Sequence, residues 1–143
     1  MIDGTSRHLM FLCDKLGILP SVGATSISWV VGSVAVAGAV FDSFTGKSIT
    51  AHIWVKERTA VSKLWFAAIC DYPFNQLGVT KVIGKVDSNN LRAIHIDEHM
   101  GFELEAVIGD YSDEGDMLLY TMVKSQCRML NSPLWARVIR RVA

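Results

Sequence analysis

The spacing of apolar residues changes several times along the chain, and each spacing predicts one type of element. Between residues 9 and 16 the apolar positions recur every three or four residues, which predicts a short helix through Lys15. Thr5 or Ser6 can cap this helix, and Gly17 can end it. Three segments rich in β-branched residues follow, at residues 26–31, 35–42 and 48–55, and they predict an antiparallel three-stranded meander.

The second half of the chain alternates between helical and strand patterns. Helical spacing runs from residue 59 to about 72, where Pro73 ends it, and a strand is predicted over 79–86. A helix over 88–100 follows, with Leu91, Ile94, His95 and Ile96 on its inner side and Gly101 at its end. Residues 102–110 and 117–123 then form a predicted hairpin.

This order of elements predicts one α/β (α+β) domain over residues 1–143, built on a mixed sheet covered by helices. A right-handed crossover is the default connection from the meander to the strand at residue 79. Ser132 and Pro133 suit the start of a tail helix over 132–141. That helix either docks on its own domain or binds a partner or a second copy.

Composition excludes several classes of protein. Fourteen Lys and Arg balance fourteen Asp and Glu, so no overall field attracts nucleic acid or an anionic membrane, and neither is an expected partner. The apolar stretch 27–41 is broken by glycines and too short to span a membrane. Three cysteines without a Cys-x-x-Cys pair, and an N-terminus without the pattern of a secretory signal, indicate a cytoplasmic protein.

One segment carries a more specific pattern. After the strand that ends near Val86 come Asn90-Leu91-Arg92-Ala93, then Gly101-Phe102 at the end of the helix, then acidic residues in the next strand. This segment resembles the C-terminal half of the GNAT superfamily of acyl-CoA N-acyltransferases. Tyr72-Pro73-Phe74, Asp110-Tyr111 and Gln126-Cys127-Arg128 resemble the phage-encoded GNAT-like branch, whose host setting would again be the cytoplasm.

The resemblance implies a fold and a reaction. The fold is a mixed, mostly antiparallel sheet with helices on both faces and a central β-α-β acyl-CoA site. The reaction is transfer of an acetyl group from acetyl-CoA, as co-substrate, to a primary amine of a small molecule or a protein. A homodimer through a strand edge or the tail helix is compatible with this reading.

The resemblance also implies which residues contact the donor. Asn90 would lie at a helix start beside the pantetheine arm. The remaining donor contacts would come from the end of the strand before the central helix and from the loop after it: Trp54, Val55, Lys56, Arg58, Thr59 and Ala60. Lys56, Arg58 and a helix N-terminus at Thr59 would meet the phosphates through charge and dipole.

Two departures keep a second interpretation open. The loop over residues 56–61 has no glycine, whereas the family closes backbone amides around phosphate there. Asp97 stands where many members carry a tyrosine that protonates the leaving thiolate, and an ionised Asp cannot do this unless its pKa is strongly raised. The alternative is therefore a catalytically silent GNAT-like interaction or assembly protein.

Other residues with chemical potential have ordinary interpretations beside the functional ones. His52 lies near the site and could accept a proton, or could be a packed strand histidine. His95 and His99 have a zinc-compatible spacing, but no third ligand is in register, so no metal site is expected. Cys70 and Cys127 are expected to be buried rather than nucleophilic. The acidic turn near Asp113 could attract an amine or be only solvated.

Overall fold

The computed structural model describes residues 1–57, 59–133 and 135–137, and its centre is a seven-stranded mixed sheet. The strands are β1 (Ile2–Asp3), β2 (Thr25–Val31), β3 (Val34–Asp42), β4 (Ser48–Val55), β5 (Lys81–Asp87), β6 (Glu103–Ser112) and β7 (Gly115–Met122). The spatial order is β1-β2-β3-β4-β5-β7-β6. Neighbouring strands are antiparallel except β4 and β5, which are parallel.

The two faces of this sheet are covered by the helices α1 (Leu9–Leu16), α2 (Lys63–Asp71) and α3 (Leu91–Met100). On one face, α1 buries Leu12 and Cys13 against Val40. On the other, α2 and α3 share the larger core, which includes Trp65 of α2 and Met100 of α3. The predicted fold class, with helices on both faces of a mostly antiparallel sheet, is therefore confirmed.

A glycine sets how closely α1 approaches the sheet. A Cβ atom on Gly38 of β3 would overlap the side chain of Leu12. Leu12 is fully buried, so it cannot swing away into solvent. The missing side chain at position 38 is what allows α1 to lie against β3.

The helix starts differ from those predicted. α1 begins at Leu9 after His8, because Ser6 adopts a positive φ of 63° and its hydroxyl accepts a hydrogen bond from the N–H of Ser26 instead of capping the helix. α2 begins at Lys63, four residues after the predicted start, because the hydroxyl of Ser62 accepts from the N–H of Leu64 and caps it there.

The predicted inner side of α3 was also wrong at two positions. Leu91, at the first helical position of α3, is 74% exposed, and His95 is exposed as well. α2 ends at Asp71, before Pro73 as predicted, although a π-helical turn follows directly over Tyr72–Gln76. Gly101 does end α3, in a left-handed conformation with φ of 116°.

The sequence did not reveal β1, and it left the position of the last hairpin open. β7 inserts between β5 and β6, so β6 becomes an edge of the sheet. In the predicted tail helix, Pro133 and residues 135–137 are helical, and the N–H of Ala136 donates to the carbonyl of Ser132 at 3.2 Å. The other positions of that prediction lie outside the described residues. None of the described helices is long and apolar enough to cross a membrane.

Candidate functional site

The central feature of the molecule is a gap between two parallel strands. β4 and β5 pair at only three positions, from Ser48 with Lys81 to Thr50 with Ile83. Beyond that point, within the described residues, β4 pairs only with β3 and β5 only with β7. The backbone groups along the two facing edges are therefore available to a ligand between the strands.

The gap holds a cavity of about 440 Å³, here called the wedge cavity. Its walls are the two diverging strands, the end of α1, the inner side of α3 and the last hairpin. The lining residues used below are His52, Gly84, Asn90, Ala93, Asp97 and Tyr111. A pocket of this size between splayed strands suits a narrow, extended ligand.

A second cavity of about 600 Å³ continues the gap past the end of β4, and it is called the basic cavity. It shares Asn90 and Ala93 with the wedge cavity. Three cationic side chains border it, Lys15, Lys56 and Arg92, beside the single acid Glu57. The guanidinium of Arg92 donates to the carbonyl of Lys56 at 3.0 Å, which ties the start of α3 to the end of β4. The excess of positive charge suits an anionic ligand.

His52 forms a pair with an acid on the neighbouring strand. His52 lies opposite Val40 and Asp42 lies opposite Thr50, so the two polar side chains are diagonal neighbours on the same face of the sheet. The Nε2 atom of His52 is 3.1 Å from both carboxylate oxygens of Asp42. Both side chains are mostly buried. In the neutral ring, donation from Nε2 leaves the lone pair on Nδ1.

Asp97 is a carboxylic acid held in a dry environment. It is 6% exposed on the inner side of α3. Burial, and secondarily the neighbouring charge of Glu98, raise its pKa to about 7. A Cβ atom on Gly84 would come within 3.1 Å of the Oδ2 atom of Asp97, so the glycine makes room for the carboxyl group beside β5. Near neutral pH a large fraction of Asp97 is therefore protonated and can donate a proton.

Asn90 stands where the two cavities meet. Its side-chain oxygen accepts from the N–H of Ala93 at 3.1 Å and caps α3, as the sequence pattern indicates. The preceding loop is anchored to the last hairpin, since Asn89 donates to Glu114 at 2.8 Å and the N–H of Asp116 donates to the hydroxyl of Ser88 at 3.1 Å. These contacts fix the start of α3 beside the gap.

The structure does not bring all of the predicted donor contacts together. Trp54 borders the basic cavity, but its ring packs edge-on against Phe11 of α1 with centroids 5.8 Å apart. Val55 and Lys56 also border this cavity. Thr59 and Ala60 lie in the loop before α2 and outside the linings of both cavities, because the helix begins only at Lys63. Arg58 lies outside the described residues.

Several residues of the site escaped the sequence interpretation. Asp42 could have been found by pairing β3 with β4 across their short loop, which places it diagonal to His52. Lys15 and Arg92 carried no local signal, because they lie on α1 and α3 and meet only in the folded chain. Gly84 likewise gains its role only from the approach of Asp97.

The remaining candidates are not part of the gap. His95 and His99 stack on the exposed side of α3, with ring centroids 6.4 Å apart. In the described part of the chain, no group of three or more potential ligands is placed to hold a metal ion.

Cys70 and Cys127 are both buried and hydrogen-bonded to each other, which raises the pKa of Cys70 and lowers that of Cys127 to about 7.

Solved structures with a similar fold include acetyltransferases. Spermidine N-acetyltransferase from Vibrio cholerae, in complex with CoA and spermine, matches with a TM-score of 0.70 at 13% identity over 88% of this chain and 96% of that chain. The N-acetyltransferase PseH from Campylobacter jejuni, in complex with acetyl coenzyme A, matches with a TM-score of 0.57 at 18% identity over 82% of this chain and 77% of that chain. No protein-family model matches the chain, and no curated protein matches its sequence. These likenesses show that the chain has the GNAT fold.

Proposed function

We propose that this chain with the GNAT fold is an N-acetyltransferase that moves the acetyl group of acetyl-CoA to a primary amine. The observation that carries the proposal is the gap between β4 and β5, which has a histidine–carboxylate pair on one side and a buried protonatable carboxyl group on the other. Transfer of an acyl group from a thioester to an amine needs a group that takes a proton and a group that supplies one.

The donor would lie along the gap. The free edges of β4 and β5 offer backbone hydrogen bonds to the amides of the pantetheine arm, and the small side chain of Ala93 leaves room beside α3. The phosphates would lie in the basic cavity, near Lys15, Lys56 and Arg92. These side chains would supply the positive charge that a glycine-rich loop supplies through backbone amides, so the loop without glycines does not exclude donor binding.

His52 would act as the general base. Asp42 holds the ring through Nε2, so Nδ1 carries the lone pair that receives the proton of the attacking amine. The amine nitrogen then bonds to the carbonyl carbon of the thioester, and the bond from that carbon to sulfur breaks. Confinement of both reactants between two strands would lower the entropic part of the barrier.

Asp97 would supply the proton that the leaving thiolate takes up. Its pKa of about 7 keeps enough of the acid protonated at neutral pH, which an Asp with an ordinary pKa could not achieve. In each reaction cycle His52 would gain one proton and Asp97 would lose one. The site would return to its starting state when His52 gives a proton to water and Asp97 takes one up.

The experiment is an acetyl-transfer assay with a panel of primary amines, in which product is identified by mass spectrometry. We expect His52→Gln and Asp97→Asn each to lower kcat by about 100-fold or more. His95→Gln is the matched control, since His95 is exposed on the outer side of α3. Acetyl transfer that is undiminished in both site variants, or no transfer to any amine by a protein that binds acetyl-CoA, would contradict the proposal.

A further inference from the structure

The edge strand β6 is an uncovered surface. All ten of its residues are exposed, and within the described chain it pairs with β7 on one side only. Four of its large apolar side chains are between 45% and 52% exposed: Leu104, Val107, Ile108 and Tyr111. The register with β7 places Leu104 and Val107 on one face and Ile108 on the other. A strand edge with apolar residues on both faces is a template for pairing with another chain.

The charges around β6 are of one sign. Six of the chain's 14 acidic residues lie between residues 103 and 116, but none of its 14 lysines and arginines does. Lys81 of β5 contacts Glu105 at 2.8 Å and offsets one of these charges. The acids are spread along the hairpin, and among the described residues no group of them is placed to hold a metal ion. The surface therefore suits a partner whose positive charges are also spread along its length.

A second copy of the same chain is a poor occupant. Two-fold pairing of β6 with itself would place the three acidic residues of one β6, Glu103, Glu105 and Asp110, beside the same three of its copy. Irregular pairing with β7 between Leu104 and Ala106, and again between Ile108 and Ser112, also bends the edge. Charges and bulges of this kind are how edge strands avoid pairing with their own copies. A basic chain would remove the charge repulsion and still cover the apolar side chains.

We infer that β6 is a docking surface for an extended, basic segment of another polypeptide, with apolar residues that cover Leu104, Val107 and Ile108. The segment would add to the sheet edge, where main-chain hydrogen bonds supply affinity and the acidic residues supply selection by charge. Tyr111 belongs both to β6 and to the lining of the wedge cavity, so a docked segment would lead towards the gap. The inference goes beyond acetyl transfer and does not depend on it.

The test is a binding measurement without acetyl-CoA. A fluorescein-labelled peptide of alternating lysine and valine is titrated with the protein and followed by anisotropy, beside a peptide of alternating glutamate and valine. We expect the basic peptide to bind at least tenfold more tightly than the acidic one, and its affinity to fall as salt is raised. Val107→Ser and Glu103→Lys should each weaken binding by about fivefold or more.

The matched control is Leu91→Ser, which removes an even more exposed apolar side chain from α3. Circular dichroism of each variant shows whether it is folded. Equal affinity for the two peptides, or unchanged binding of the basic peptide by folded Val107→Ser, would overturn the inference. So would a dimer of the unmodified protein, measured by light scattering, that Val107→Ser converts to monomer.

Discussion

Replacing Asp97 with asparagine should change how stability depends on pH. Asp97 is 6% exposed, and the pKa of its carboxyl group is raised from 3.8 to about 7 by burial and then by Glu98. In the unfolded chain the group loses its proton near its ordinary pKa of 3.8, whereas in the folded chain it keeps the proton until about pH 7. Between these values the folded state binds more protons than the unfolded state, so Asp97 makes folding less favourable as the pH rises.

The magnitude follows from the size of the shift. About three pKa units correspond to about 4 kcal/mol, and partial hydration of the ionised group reduces this to about 2–4 kcal/mol. Asparagine has the shape of the protonated acid and does not titrate. Relative to the unmodified protein, Asp97→Asn should therefore gain about 2–4 kcal/mol of unfolding free energy as the pH rises from 4 to 7, and the gain should level off above about pH 7.

The assay is urea unfolding of both proteins at half-unit steps from pH 4 to pH 8.5. Taking the difference at each pH removes the contribution of groups that titrate alike in both proteins. Leu91→Ala, at an exposed position on α3, is the control and should give a flat difference, because neither side chain titrates. A flat difference for Asp97→Asn as well would refute the assignment of a buried, protonated Asp97, and with it the proposed proton donor.

Three further predictions concern the site and the packing around it. Asp42→Asn should lower kcat by about 10-fold or more, because Asp42 holds the ring of His52. The KM for acetyl-CoA should stay unchanged, because Asp42 does not border the basic cavity, and steady-state kinetics separate the two effects. In pH–rate profiles of acetyl transfer by the unmodified protein, kcat should fall above about pH 7 as Asp97 ionises, and a profile that rises through pH 8 would contradict its proposed role as the acid. Gly38→Ala should cost about 1–3 kcal/mol in denaturant unfolding, since the new Cβ overlaps Leu12, whereas Gly4→Ala, with open space around it, is the control.

Most of the architecture could be predicted from local pattern. The meander strands, the helix that Asn90 caps and Gly101 ends, and the last hairpin all depend on residues close together in sequence. The start of α2 was predicted less accurately. The helical spacing of apolar residues continues upstream of Ser62, and only the cap contact of Ser62 fixes where the helix begins. β1, which has two residues, is too short to leave a pattern.

The site was harder to predict because its parts come from distant segments. His52, Asn90 and Asp97 were identified by their positions in a family pattern, but Asp42 became visible only through strand register. The cations of the basic cavity are assembled from α1, β4 and α3, and no sequence window contains them. The raised pKa of Asp97 is a consequence of burial, which a local pattern does not reveal.

The central claim is that the gap between β4 and β5 binds acetyl-CoA, and calorimetric titration tests it most directly. We expect acetyl-CoA to bind the unmodified protein with one site per chain, and Arg92→Glu to weaken binding by about tenfold or more through the basic cavity. Lys124→Glu reverses an exposed charge outside both cavities and should leave binding unchanged. No binding at millimolar acetyl-CoA, or equal affinity in the Arg92→Glu and Lys124→Glu variants, would contradict the account.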